Sequence, residues 1–175
     1  MMKIVKDKKK LSVPVQEGSI EDNSVSVVKM QKFLANTHIG RNSIGLASNQ
    51  LGLKGRVIFV KIHGEIKELN YGWCHFINPV IVSHSERMMP SIEGCLSIPD
   101  TFIEIQRPKI CKVEYVDING KIRTQEFDGL LSTCVQHEIN HLDGKLIIDN
   151  LSKLKRDFII RKISKNKKNP DRIIV

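Results

Sequence analysis

The sequence predicts an α+β fold in which small antiparallel or mixed β-sheets pack around a central helix, with one further helix near the N-terminus and an amphipathic helix at the C-terminus. Three features lead to this prediction. Apolar residues recur at helical spacing before residue 40 and again in 129–143. Several β-rich segments lie between them, and Asn119-Gly120 joins two of these segments in the way that favours a β-hairpin.

Length and composition are typical of a globular protein. The 175 residues are 41% hydrophobic and 27% charged, so we expect one domain over 1–175 with a buried core. No apolar run has the length of a membrane span, and residues 1–10 lack the apolar stretch of a signal peptide. We therefore expect a cytoplasmic protein without a membrane partner, with an organellar or viral source left open. The cysteines, expected to be reduced, are Cys74, Cys95, Cys111 and Cys134.

The first third of the chain predicts an extended entry segment and one helix. Pro14 disfavours helix at the residue before it, so 11–15 are predicted to be extended. Residues 21–24 offer N-cap side chains, and the helix that follows is predicted to end near Gly40. Its apolar stripe consists of Val27, Val28, Met30, Phe33 and Leu34.

The middle of the chain alternates between loops and strands. Small residues make 43–50 a loop that another backbone could approach closely, and 57–61 is predicted to be a strand followed by a turn. The β-rich segment 75–83 contains an Asn-Pro pair, which predicts an edge strand or a bulged one. Residues 85–91 are predicted to be a loop, and glycine and proline predict irregular backbone in 93–99.

The next part of the chain predicts the hairpin and the central helix. The β-rich segments 109–117 and 121–127 flank the Asn-Gly pair. Asp128 can cap a helix over 129–143, and Gly144 is well placed to end it. Because apolar residues flank this helix on several sides, we expect it to be largely buried.

The C-terminal region, about 150–175, is predicted to be a basic amphipathic helix and tail after a short strand at 145–148. Its apolar residues at helical spacing are Leu151, Leu154, Phe158 and Ile163. Within 153–172, nine Lys or Arg stand against two Asp, which accounts for +7 of the net charge of +9. Such a run usually forms a solvated helix face, and docking on an acidic partner such as RNA is the alternative. The residues after Pro170 are predicted to be loose or to add a short strand.

The central helix contains a His-Glu-x-x-His pattern. His137 and His141 lie four residues apart, so they share one face of the helix and can bind one divalent metal ion, with Glu138 close enough to reach a water molecule at that ion. Three fixed positions can also match by chance, and the alternative is a pair of ordinary buried histidines. Burying these groups without partners would be costly, which favours the metal.

A catalytic site of this type needs a third protein ligand. No histidine follows His141, and the carboxylates that follow are all Asp. Upstream, Cys95 lies in a glycine-containing turn and is a plausible soft ligand. Two imidazoles and a thiolate suit Fe(II), Zn(II), Co(II) or Ni(II), and the reaction class that follows is hydrolysis of an amide or ester, with Glu138 moving the proton.

Three separated segments together resemble the signature motifs of peptide deformylase. They are 43–50 (SIGLASNQ), 93–97 (EGCLS) and 136–144 (QHEINHLDG), in the order and with the spacing of that family, and the resemblance runs from about residue 11 to about residue 165. It implies a hydrolase that removes the N-formyl group from the N-terminal formyl-methionine of newly synthesised polypeptides. We expect a monomer that acts on nascent chains.

The resemblance also implies roles for individual residues. Cys95, His137 and His141 would bind one divalent metal ion, natively Fe(II), with Zn(II), Ni(II) or Co(II) as alternatives. Glu138 would be the general acid and base. The groups that stabilise the oxyanion would be the Gln50 side chain and the backbone N–H of Leu96.

The peptide contacts follow from the same resemblance. The backbones implied to pair with the extended substrate are those of Ile44, Gly45 and Gly94. The apolar pocket for the methionine side chain would include Ile44, Ile92, Cys134 and His137. Glu93 and Gln136 are implied to support the metal ligands through hydrogen bonds.

This sequence departs from the family pattern at four positions. Ser43 stands where glycine is usual, which could restrict the loop, and Ser48 stands where alanine is usual. Asn140 replaces an aspartate that normally pairs with the arginine matched by Arg107, so we expect a charge-assisted hydrogen bond there. Phe102 replaces a frequent arginine near the substrate path. We predict an active enzyme with an altered substrate range.

Two other functions compete with deformylation. A catalytically altered homologue could bind RNA or the ribosome through the basic C-terminal helix, and this contact could also accompany catalysis. A general metalloprotease is the second alternative, and Cys95 as a ligand disfavours it. The complete set of ligand candidates favours deformylation.

Overall fold

Two antiparallel sheets and five α-helices make up residues 2–62 and 72–166, which are the residues that the computed structural model describes. The helices are α1 (Lys8–Leu11), α2 (Ile20–Ala35), α3 (His38–Asn42), α4 (Gly129–Leu142) and α5 (Lys153–Asn166). The strands are β1 (Gly45–Ala47), β2 (Val57–Ile62), β3 (Gly72–His84), β4 (Met88–Cys95), β5 (Ile98–Pro108), β6 (Ile110–Val116) and β7 (Ile122–Asp128). The predicted turn at 63–64 and the tail after residue 170 lie outside the described residues.

The larger sheet has the strand order β1-β2-β3-β6-β7, and β4 and β5 form a separate two-stranded sheet. Every strand pair in the described residues is antiparallel. Helix α4 contacts strands of both sheets and therefore lies at the centre of the fold. The predicted α+β class is confirmed. In this part of the chain no helix combines the length and apolar composition needed to cross a membrane.

Helix α4 is held by one apolar face. Val135, Ile139 and Leu142 lie at spacings of four and three, which places them on one side of the helix, and all three are buried in the main core with residues of the larger sheet. Gly144 has a φ of +73°, so it ends the helix in the left-handed conformation as predicted. Asp128 occupies the N-cap position, but its side chain makes no cap hydrogen bond, and that part of the prediction is wrong.

The N-terminal region differs from its prediction in three ways. Helix α1 includes Leu11, which was predicted to be extended. The cap of α2 is Ser19 and not a residue of 21–24, because the Ser19 Oγ accepts a hydrogen bond of 3.0 Å from the N–H of Asp22. The predicted helix to Gly40 is two helices, α2 and α3. The buried part of its stripe is confirmed and consists of Val27, Met30, Phe33 and Leu34.

Several strand boundaries also differ. Strand β3 lies inside the sheet and not at an edge, and its bulge falls where Asn78 has a φ of +48°. The predicted loop at 85–91 contains the start of β4. The predicted strand at 145–148 is wrong, since its last two residues begin a 3₁₀ helix, Ile147–Asn150. The hairpin of β6 and β7 is confirmed, with Gly120 at a φ of +76°.

Helix α5 turns a different face to the protein than its spacing predicted. Leu154 and Phe158 are 85% and 70% exposed. Ile159 and Ile160 make the contact instead, since they pack against the cluster that contains Leu11. The side chain of Ile163 lies outside the described ones.

Candidate metal centre

Three side chains that could hold a metal ion converge where the end of β4 meets α4. Cys95 is the last residue of β4, and His137 and His141 lie one turn apart on α4 with ring centroids separated by 5.0 Å. The Sγ of Cys95 lies 3.1 Å from Nε2 of His141, and the ligand atoms of all three residues lie within 4.8 Å of one another. The residue proposed upstream and the two on the helix therefore meet in one cluster.

A buried ionic network surrounds this cluster. Glu93 precedes Cys95 by two residues, so both point to the same side of β4. Its Oε2 lies 2.8 Å from Nδ1 of His137, and Arg107 binds the same carboxylate through two of its nitrogens. Arg107 also donates a hydrogen bond of 2.7 Å to Oδ1 of Asn140, which is the contact that the sequence predicted.

Gln136 does not take part in this support. Its Nε2 donates to the carbonyl of Pro108 at 2.9 Å and to Oγ of Ser132 at 2.8 Å. The bond to Pro108 fastens α4 to the end of β5, whereas the bond to Ser132 lies within α4. The expected bond from Gln136 to a ligand is therefore wrong, because the side chain faces the strand and not the cluster.

The surroundings shift the protonation of each group. Burial lowers the pKa of His137, but hydrogen bonds to Cys95 and Glu93 and nearby negative charge outweigh this effect and raise it to about 10. Burial and the charge of His137 lower the pKa of His141 well below its usual range. Burial favours a higher pKa for Glu93, but bonds from Arg107 and His137 lower it. A bound cation requires both imidazoles to be neutral, so it competes with a proton at His137.

Glu138 lies beside the cluster with a free oxygen. Burial raises the pKa of its carboxyl to about 7, an effect that Glu93 adds to and His137 opposes. Its Oε2 is buried and has no hydrogen-bond partner among the described residues. A Cβ at Gly45 would collide with this carboxylate and with Sγ of Cys134, so glycine is required for β1 to pass so close to α4.

The chemistry of the donors fits a divalent metal ion. One thiol and two imidazoles are the ligand types that late first-row divalent ions bind. The unpartnered Oε2 of Glu138 beside them is a buried acceptor that needs a polar neighbour. The three residues Cys95, His137 and His141 therefore form a group that could hold such an ion.

Gln50 is fixed so that its amide nitrogen faces the cluster. It belongs to a 3₁₀ turn, Ser48–Leu51, that directly follows β1. The N–H of Ala47 donates to its Oε1 at 2.9 Å, which leaves Nε2 pointing toward Sγ of Cys95 at 3.7 Å and Oγ of Ser97 at 3.2 Å. The amide N–H groups are thus presented as donors next to the ligand atoms.

Sequence reasoning missed Asn49, the residue before Gln50. Its Nδ2 donates a hydrogen bond of 2.6 Å to the backbone carbonyl of His141, and this bond ties the 3₁₀ turn to the last turn of α4. The carbonyl also accepts from the N–H of Gly144 at 3.1 Å. No sequence pattern marks such a contact, because its acceptor is a backbone atom 92 residues away.

A cleft of about 480 Å³ opens onto this cluster between β1, the β4–β5 hairpin and α4. The proposed site residues that line it are Ile44, Gly45, Gln50, Gly94, Cys95, Leu96, His137 and Glu138, together with Ile92 and Cys134 of the expected methionine pocket. His141 lines a different cavity, of about 240 Å³. The cleft is therefore lined by all of the predicted site residues except His141.

The unusual serines of the first motif are accommodated without strain. Ser43 has a φ of −113°, an extended conformation open to any residue, and its Oγ donates to the carbonyl of Ile39 at 2.6 Å. Ser48 is fully buried and donates from Oγ to the carbonyl of Gly55. The restriction expected from Ser43 is therefore absent.

The profile of the family described as polypeptide deformylase matches residues 1–157 of this chain. The chain belongs to this family. The peptide deformylase of Pelagibacter ubique is 43% identical over 169 residues, which cover 95% of this chain and 92% of the relative. The family is metal-dependent, in agreement with the cysteine and histidines gathered here.

Solved structures of the family share the fold. The crystal structure of peptide deformylase from Ehrlichia chaffeensis superimposes with a TM-score of 0.82 at 34% identity and covers 97% of this chain and 98% of that one. A class I type b peptide deformylase from Acinetobacter baumannii, bound to Met-Ala-Ser, gives a TM-score of 0.73 at 26% identity over 86% of this chain and 98% of that one. The arrangement of helices and sheets is therefore that of the family.

Proposed function

We propose that this protein is a metal-dependent amide hydrolase that removes the N-formyl group from the N-terminal formyl-methionine of newly synthesised polypeptides. The observation that carries the proposal is that Gln50, Cys95, His137 and Glu138 line one open cleft, while His141 lies behind them with its ligand atom within 4.8 Å of those of Cys95 and His137. Family membership supports the same reaction.

The metal ion would be held by Cys95, His137 and His141. We propose Fe(II) as the native ion, with Zn(II), Ni(II) or Co(II) able to replace it. A divalent ion supplies Lewis acidity toward a carbonyl oxygen and makes water more acidic. The contact between Glu93 and Nδ1 of His137 leaves Nε2 of that ring for the ion.

Glu138 and Gln50 would act on the formyl group. The unpartnered Oε2 of Glu138 can take a proton from water and return it to the leaving amine, so this residue serves as general base and then as general acid. The Nε2 of Gln50 would donate to the oxygen on which negative charge develops, because the bond from the Ala47 N–H to Oε1 turns the amide nitrogen toward the cluster. The backbone N–H of Leu96 is the second proposed donor.

The peptide would bind as an extended strand. Strand β1 pairs only with β2, and β4 pairs only with β5 within 2–62 and 72–166, so each offers an edge to the cleft. We assign the pairing to the backbones of Ile44, Gly45 and Gly94. The carbonyl of Ile44 already accepts from the Lys61 N–H at 2.8 Å. The Met-Ala-Ser complex of the Acinetobacter baumannii relative supports a peptide that begins with methionine.

The remaining features concern where the protein works. We propose a cytoplasmic monomer, and a ribosome contact made by α5. The support for this contact is that Lys153, Lys155, Arg161 and Lys162 are exposed on this helix and are available to phosphates.

The test is an anaerobic assay of the full-length protein. The protein is stripped with a chelator, reloaded with Fe(II) or Ni(II), and supplied with formyl-Met-Ala-Ser, and formate release is measured. We expect no release before loading and turnover after it. A loaded protein that releases no formate would contradict the proposal, and cleavage of an internal peptide bond of a longer peptide would point to a protease instead.

A further inference from the structure

The outer wall of the cleft carries an exposed apolar patch that takes no part in metal binding or proton transfer. We reassign Ile92 from the expected methionine pocket to this patch, because its side chain lies on the face of β4 opposite to Cys95. Ile92 of β4 and Phe102 of β5 are 74% and 77% exposed, although both line the cleft that contains the metal centre. Leu130 at the start of α4 is a third exposed apolar residue at the same opening. We call Ile92 and Phe102 the apolar shelf.

The shelf occupies the face of the hairpin opposite to the metal ligands. Along β4 the side chains of Glu93 and Cys95 are buried, whereas Ile92 and Gly94 are exposed, as expected for alternation along a strand. Phe102 pairs with Gly94, and a Cβ at Gly94 would lie only 2.9 Å from the ring. The ring therefore lies against the backbone of Gly94, on the same face of the hairpin as Ile92.

A peptide in the proposed position must run past this shelf. If it pairs with the open edge of β4, its side chains project to the same two faces as those of β4 and alternate between them. The formyl group is directed to the metal centre and the methionine enters the cleft. Of the second and third residues, only one can then face the shelf.

We propose that the apolar shelf is a subsite that selects nascent chains with a bulky apolar side chain at position two or position three. The proposal rests on the proposed function. An apolar side chain placed there removes its own surface and that of Ile92 and Phe102 from water. Two carboxylates flank the shelf, since Glu104 pairs with Ile92 and Asp100 lines the cleft, so an acidic side chain is disfavoured.

The test compares peptides and variants by kcat/KM. The metal-loaded protein is assayed on formyl-Met-Ser-Ser, formyl-Met-Leu-Ser and formyl-Met-Ser-Leu, and on the matching glutamate peptides. We expect leucine at one of the two positions to raise kcat/KM about three- to tenfold, mainly through KM, because an open shelf covers only part of a side chain. Phe102→Ala should reduce this ratio toward one, and Phe102→Arg should also reduce the discrimination against glutamate.

The controls separate the shelf from the reaction. Phe158→Ala removes a phenylalanine of similar exposure from α5, outside the cleft, and should leave the leucine ratio unchanged. No turnover of formyl-Met-Ser-Ser by the wild-type protein would contradict the proposed function itself. Turnover without a leucine preference, an equal preference at both positions, or a preference that survives in both Phe102→Ala and Ile92→Ala would overturn the shelf alone.

Discussion

The metal centre and helix α5 carry their charges in opposite ways. Around the centre, Glu93, Arg107 and His137 are buried or nearly so, and each contacts another charged or polar partner. On α5 the basic side chains of Lys153, Lys155, Arg161 and Lys162 are exposed. Buried charged side chains fix the geometry of the centre, because the loss of one partner leaves the other buried and unpaired. Exposed charged side chains stay solvated, so they contribute little to stability and remain available to another molecule.

The largest effect is expected where a buried carboxylate has no partner of its own. Glu138→Ala should lower kcat by about 10²- to 10⁴-fold, because the proposed proton transfer is lost. The metal content should stay at the wild-type level, since this carboxylate is not one of the three ligand candidates. The measurement is kcat on formyl-Met-Ala-Ser together with metal analysis. Full activity in Glu138→Ala would rule out the assigned role.

The next effect concerns the stability of the buried network. Arg107→Ala leaves the Glu93 carboxylate buried without its main counter-charge and should lower the free energy of unfolding by about 3–5 kcal/mol. The matched control is Arg123→Ala, which removes an arginine from the exposed pair with Asp117, 3.0 Å apart, and should cost about 1 kcal/mol or less. Urea unfolding of the metal-loaded proteins measures both. Equal losses of unfolding free energy in Arg107→Ala and Arg123→Ala would show that the buried ion pair stabilises the fold no more than the exposed one.

Contacts that lie within one repeat of a helix or strand could be predicted from the sequence. His137 and His141 share a face of α4 by helical spacing. The Asn-Gly hairpin and Gly144 as the end of α4 follow from local backbone preferences in the same way. The prediction that Cys95 lies beside α4 depended on the resemblance of the separated motifs to one family, since residue spacing alone does not relate two distant segments.

Contacts between distant segments could not be predicted in the same way. Helical spacing placed Leu154 and Phe158 on the buried face of α5, but the helix docks through Ile159 and Ile160 because the cluster around Leu11 lies beside them. The start of β4 shows no alternation that marks a strand, and pairing with β5 defines it instead. In both cases the partner comes from elsewhere in the chain.

A smaller effect is expected at Asn49, which links the 3₁₀ turn that carries Gln50 to the last turn of α4. Asn49→Ala removes the bond to the carbonyl of His141 and should weaken metal binding by about tenfold, with a stability loss of about 1 kcal/mol because Gly144 still donates to that carbonyl. Competition with a chelating dye measures the dissociation constant of Zn(II) or Co(II). Asn36→Ala is the control, since Asn36 makes a similar bond of 2.8 Å to a helix carbonyl on the surface. Unchanged metal affinity in Asn49→Ala would show that the bond supports only the fold.

The smallest effect on the folded protein is expected on α5. Lys155→Ala removes an exposed charge and should change the free energy of unfolding by less than about 0.5 kcal/mol and leave tripeptide turnover unchanged. If α5 makes the proposed contact, binding to a labelled RNA hairpin should weaken, and the slope of log affinity against log salt should fall by about one, because one phosphate partner would be lost. Lys61→Ala, on β2 of the larger sheet, removes a lysine outside this helix and should leave the slope unchanged. Equal slopes for the wild-type protein and Lys155→Ala would mean that the exposed charge of this helix serves solubility and not a nucleic-acid partner.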